Sequence, residues 1–114
     1  MWLPSENVLN PGTAFLFPTE TGTLTIPSTA SRTIGVGAYD ALTFSYVDFS
    51  GRGQRGAGRL SKPDIVAPGV NVTAPTTSGT YASFSGTSFA TPFVTGGAAL
   101  MMEWGIIKEN DPYL

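Results

Sequence analysis

Apolar and polar positions along the chain fall into short runs with frequent breaks. Residues 1–22 show no period, because Pro4, Pro11 and Pro18 interrupt any long element around one apolar patch, Ala14-Phe15-Leu16-Phe17. Thr23-Leu24-Thr25-Ile26 alternates and predicts a short strand that stops at Pro27. "TIGVGA", residues 33–38, predicts a buried strand with glycines where neighbours pack closely. "LTFSYVDFS" alternates at Leu42, Phe44 and Tyr46 and then slips register, which predicts a strand entering a turn. "GRGQRGAGR", residues 51–59, is a loop, and residues 62–75 hold two short apolar runs separated by the turn pair Pro68-Gly69. Tyr81-Ala82-Ser83-Phe84 predicts another short strand. From Ser88 to about Trp104, small and apolar residues occupy nearly every face, so this helix should be enclosed all round, with Gly105 as its stop. There is no internal repeat, and the element pattern is α/β.

Composition changes this picture in one respect. Only 12% of the residues are charged, against roughly 25% in an ordinary soluble domain. At 114 residues the chain is one domain at most, or part of one. Either much of its surface is meant to be buried against polypeptide outside this sequence, or it carries a Gly/Thr/Ser-rich β surface that is polar without charge. The net charge of −2 argues against general attraction to nucleic acid or an anionic membrane. Without cysteine there is no disulfide framework or thiolate metal site, and no carboxylate cluster suggests a cation, so no cofactor is expected. The longest apolar stretch, Phe93 to Met102, falls short of the roughly 20 residues that span a bilayer. Met1-Trp2-Leu3-Pro4 lacks the basic start and apolar core of a signal peptide, and a soluble chain is expected.

The candidate chemistry sits at the head of the long helix. Ser88 follows Gly86-Thr87, and helix N-termini present unpaired N–H groups and the positive end of the macrodipole. A serine there has its hydroxyl beside a site suited to a developing oxyanion, and its own N–H can be one donor. The alternative is that Ser88 or Thr87 is an N-cap. A nucleophile needs a base, and the chain has no histidine. Other serine arrangements fail: Ala90 stands where G-x-S-x-G needs glycine, and Arg59 and Gly105 stand where S-x-x-K needs serine. No phosphate-binding G-x-x-x-x-G-K-[ST] segment is present.

"SGTSFATPFVTGGAAL", residues 85–100, resembles the nucleophile segment of subtilisin-like serine proteases, G-T-S-x-A-x-P followed by a small-residue helix. "KPDIVAPGVNV" at 62–72, and "TIGVGAYD" at 33–40 with "FSGRG" at 49–53, are similar to the family's segments upstream of that serine, in the same order. "FLFPTETGTLTIPSTA" and "MMEWGI" resemble clostridial members, spore-germination proteases included. The resemblance implies an α/β fold: the C-terminal portion of a three-layer domain with a mostly parallel sheet, short β-hairpins and a buried helix starting at Ser88. It implies that Ser88 is the acyl-forming nucleophile and a backbone oxyanion donor, with Gly86 and Thr87 beside the oxyanion site. Phe89 stands where methionine is commoner and Phe93 where a non-catalytic histidine is commoner.

In this family the triad runs Asp, His, Ser along the chain, so a piece lying after the histidine keeps the serine alone. No D-[ST]-G or H-G-T segment is present, and Asn7, Asn10 and Asn71 lack the context of the family's oxyanion asparagine. Asp64 matches a structural position. Residues 1–114 are therefore expected to be a partial catalytic domain, inactive alone. Its implied partners are a peptide or protein substrate, the missing N-terminal part of the domain and, through self-association, copies of itself, with no nucleic acid and no membrane. The family points to an extracellular or spore-associated setting. A non-catalytic pseudoprotease is the rival. Nucleic-acid binding by the RGG-like run Arg52, Arg55, Arg59 and Lys62 is a weaker one, since no interleaved aromatics offer stacking. Substrate preference is not legible.

Overall fold

The computed structural model describes residues 8–53 and 61–111. Among these residues five strands precede one α-helix: β1 (Val36–Asp40), β2 (Ser45–Tyr46), β3 (Ile65–Pro68), β4 (Val72–Pro75), β5 (Tyr81–Phe84) and α1 (Thr87–Met102). β1 is the centre of a three-stranded sheet ordered β2-β1-β3. β3 runs parallel to it, with Val36 opposite Ile65 and Tyr39 opposite Pro68, and β2 runs antiparallel, with Tyr39 opposite Tyr46. β2 is too short to cover all of β1. The Ala38 N–H instead donates to the Oγ of buried Ser50 (3.0 Å), a side chain standing in for a missing strand.

β4 and β5 form a separate antiparallel hairpin, Val72 opposite Phe84 and Pro75 opposite Tyr81. Its turn closes where the Thr76 N–H donates to the Thr80 carbonyl (2.8 Å), and Gly79 supplies a positive φ of 76°. The second strand of the hairpin leads straight into α1.

α1 lies across β1 and β3. Ala38, Ala67 and Ala90 meet at the crossing, with Val36, Val47 and Val94 packed around them. Gly69, at the end of β3, explains how close this packing is: a Cβ there would stand 2.6 Å from Ala38 Cβ and 3.5 Å from Ala90 Cβ. Small residues at the crossing let helix and strands approach to main-chain distance.

Three expectations are corrected. The helix begins at Thr87, one residue earlier than expected, and it is not enclosed: Ala90 is its one buried residue, while Phe93 is 53% and Leu100 67% exposed. One face rests on the sheet, and no described residues cover the others. Gly105 does not stop the chain's helical course, which continues through a π-helical turn, Glu103–Ile107, with Gly105 buried inside it. Thr23–Ile26 is not a strand, because Thr23 finds its backbone partner singly, in Arg52 (N–H to carbonyl, 3.0 Å), with no neighbouring ladder to extend the pairing.

The surface measures the same openness. The chain exposes 9171 Å², whereas a self-contained domain of this mass exposes about 6,000 Å². Its radius of gyration is 17.3 Å, against about 13 Å for a compact chain of this length.

Candidate active site

Ser88 is placed by the join between β5 and α1. Gly86 takes a φ of 154°, a region L side chains rarely adopt, and its N–H donates to the Gly69 carbonyl (2.8 Å). The Asn71 N–H donates to Ser85 Oγ (3.0 Å), so the turn after β5 is tied to the turn before β4. Phe84 and Phe89 stack across the same turn with ring centroids 5.1 Å apart. The serine thus rests on a turn fixed from both sides.

The helix start is left open. Gly86 is the N-cap and no side chain caps it, so neither Thr87 nor Ser88 has the N-cap role. Phe89 N–H donates to the Gly86 carbonyl (3.0 Å), while the N–H groups of Thr87 and Ser88 make no hydrogen bond among the described residues. No acidic residue lies in the first turn to offset the dipole. The Ser88 side chain is exposed and its hydroxyl has no hydrogen-bond partner among the described residues. Pro92, inside the helix, lacks the N–H that would pair with the Ser88 carbonyl. Two free donors, a positive dipole end and an unengaged hydroxyl therefore lie at one point.

That point opens on a cleft of about 390 Å³. Thr87, Ser88 and Thr91 form its helical wall, Thr23, Leu24 and Thr25 another, and Val36 and Phe49 contribute apolar surface. Nothing in the residue pattern pointed to this cleft, since Thr23 and Ser88 are brought together by the fold alone. Among the described residues no carboxylate, lysine or other base lines it. Among the described residues no group of three or more His, Cys, Asp or Glu side chains could hold a metal ion. No described helix is long and apolar enough to cross a membrane.

Asp64 lies elsewhere, on a groove between β3 and the Phe93–Met101 side of α1. Its Oδ2 accepts the Gly35 N–H (2.7 Å) and the Lys62 ammonium (2.5 Å), and Lys62 also donates to the Thr33 carbonyl. The Lys62 hydrogen bond, then that of Gly35, hold the Asp64 carboxyl below the usual carboxylate range. Its task is to join the start of β3 to the start of β1.

Arg52 is likewise engaged: it donates to Glu20 (2.6 Å) and, through Nε, to the Tyr46 hydroxyl (2.7 Å), with its guanidinium 4.2 Å over the Tyr46 ring. The bond to Tyr46 foremost holds its proton more tightly than usual. Two of the four cations in the basic run are thus committed within the chain, and Arg55 and Arg59 lie outside the described residues.

An exposed serine thus stands at an uncapped helix N-terminus, beside a cleft and next to a parallel strand pair. The sequence model of peptidase S8, the subtilase family, matches residues 16–107. Subtilisin Savinase of Lederbergia lenta is 44% identical over 91 residues, 80% of this chain and 29% of the relative. Subtilisin E of Bacillus subtilis (strain 168) is 38% identical over 82 residues, 72% of this chain and 19% of the relative. The solved structure of the Clostridium perfringens CspB protease superposes with a TM-score of 0.85 at 46% identity, covering 90% of this chain and 22% of that one. The chain belongs to the subtilase family and has a subtilisin-like α/β fold. It spans less than a third of the length of each of these relatives.

Proposed function

We propose that this chain is the nucleophile-bearing part of a subtilisin-like serine endopeptidase. The observation that carries the proposal is Ser88 itself, exposed and unengaged beside the free N–H groups of an uncapped helix. In the complete enzyme the Ser88 hydroxyl attacks the scissile carbonyl and passes its proton to a histidine oriented by an aspartate. The acyl-enzyme then forms, the amine leaves, and water releases the acid. The Ser88 N–H donates to the oxyanion in the tetrahedral intermediate, Thr87 lies beside that donor, and Gly86 lets the substrate main chain approach.

Histidine and the triad aspartate are supplied by the N-terminal part of the catalytic domain, of which residues 1–114 are the C-terminal portion. That part also adds strands to the sheet and layers around α1, giving a three-layer domain with a mostly parallel sheet. The substrates are peptides or proteins, and the family relatives favour an extracellular setting. Alone, the chain lacks a base, and loss of the base in subtilisin lowers turnover about a millionfold. The chain alone is therefore expected to leave labelled casein uncut. Co-folded with the Asp- and His-bearing portion of a clostridial subtilase, it should cut casein, and Ser88→Ala should abolish the cutting. Cleavage by the lone chain that depends on Ser88 would overturn this assignment, as would a reconstituted complex whose activity survives Ser88→Ala.

A further inference from the structure

We propose that Arg52 is a positioning residue for the cleft beside Ser88: it fixes the wall formed by Thr23, Leu24 and Thr25, and so governs which substrate side chain the cleft admits. The inference rests on Ser88 being the nucleophile and adds to it a residue that touches neither the serine nor the peptide bond.

The wall is a segment that cannot hold its own shape. Thr23–Thr25 belong to no helix or strand. Among the described residues, every hydrogen bond that leaves residues 19–25 for a distant part of the chain goes to Arg52. The Thr23 N–H donates to the Arg52 carbonyl (3.0 Å), the Arg52 N–H to Thr23 Oγ1 (2.9 Å), and the Arg52 guanidinium to Glu20 (2.6 Å). Leu24 fills the space that a side chain at Gly51 would need, since a Cβ there would come 2.9 Å from Leu24 Cδ2.

Arg52 is itself anchored to the core. Its Nε–H reaches the Tyr46 hydroxyl, which donates onward to the Ser50 carbonyl (2.7 Å). Buried Ser50 receives the Ala38 N–H of β1. A continuous path thus runs from the central strand through Ser50, Tyr46 and Arg52 to the wall, and across the cleft to Ser88 on α1. The Glu20 carboxylate is largely exposed, so that ion pair is screened by water. The planar stack on Tyr46 and the directed Nε bond are the parts that define position. Lysine reproduces the charge and neither of those features.

The test uses the full catalytic domain, in which this chain is joined to its Asp- and His-bearing polypeptide, with peptides differing in the side chain placed at the cleft. Displacement of the wall should raise KM for bulky side chains about tenfold in Arg52→Ala while kcat stays within about twofold. Small side chains should be affected less, so the ratio of kcat/KM values shifts, and Arg52→Lys should resemble Arg52→Ala more than wild type. An equal loss for every substrate, or unchanged selectivity, in a variant that melts with the wild type overturns the proposal. If Arg52→Ala does not fold, Thr23→Val removes the Oγ1 acceptor with Arg52 intact. A selectivity shift in that variant supports the proposal and unchanged selectivity overturns it. A wild-type domain with no Ser88-dependent hydrolysis removes the nucleophile assignment and this inference together, an outcome distinct from an active domain indifferent to Arg52.

Discussion

At Gly69 one hydrogen atom separates two requirements. The main chain must pass between Ala38 on β1 and Ala90 on α1, and its carbonyl must receive the Gly86 N–H that holds the turn before Ser88. A methyl group there would lie 2.6 Å from Ala38 Cβ and 3.1 Å from the Gly86 oxygen, both main-chain-bound and unable to swing aside. Gly69→Ala should therefore destabilise the chain by about 1–3 kcal/mol through overpacking, read as a lower denaturation midpoint. It should also lower reconstituted hydrolysis beyond what the lost stability explains, because the clash pushes on the turn carrying the nucleophile. Unchanged midpoint and activity would show that helix and sheet can part without cost. Gly86 is a different case: a Cβ there meets nothing nearer than 3.6 Å, and its φ of 154° is the constraint.

The helix shows at the scale of an element why residues 88–104 predicted enclosure and the structure shows exposure. Gly96 and Gly97 stand mid-helix with open space where a side chain would go, and each costs the helix about 1 kcal/mol relative to alanine. Nothing among the described residues offsets that cost. Close-packed main chain in a complete domain would. Gly96→Ala should then raise the helical circular-dichroism signal of the lone chain and stabilise it by about 0.5–1 kcal/mol, while lowering the yield of active complex. A gain in both would mean that no partner packs against that face. On the proposed function, the pattern of residues reflects the helix's surroundings in the complete domain and not its exposure in this chain. Strand legibility followed a similar logic. β5 was legible to the residue, and Pro68-Gly69 marked the break between β3 and β4, because local turn chemistry dictates both. Thr23–Ile26 misled because its partner, Arg52, lies 29 residues away. The place of Ser88 at a helix start was legible, since Gly86, Thr87 and that start are contiguous. Its cleft was not, since the opposite wall comes from Thr23–Thr25.

At the scale of the molecule, the excess of about 3,000 Å² over a compact domain is well above the roughly 800 Å² that each partner buries in a standard interface. Val66, Phe93, Leu100, Met101, Met102 and Ile107 are among the large apolar side chains left exposed. Apolar patches of this kind mark surfaces that favour association in water. Light scattering on the lone chain should give a mass well above 11.9 kDa at micromolar concentration, falling to that of a one-to-one complex when the Asp- and His-bearing portion is present. A stable monomer would contradict this. The three-alanine core also sets the thermal behaviour of the chain. Unfolding it uncovers few methyl groups, so the heat capacity should rise by less than the usual 12–15 cal/mol/K or so per residue. With so shallow a stability curve the lone chain should soften gradually on heating, without a sharp calorimetric peak. The steep melting of a finished enzyme would then be a property conferred on the nucleophile's segment by the polypeptide that encloses it.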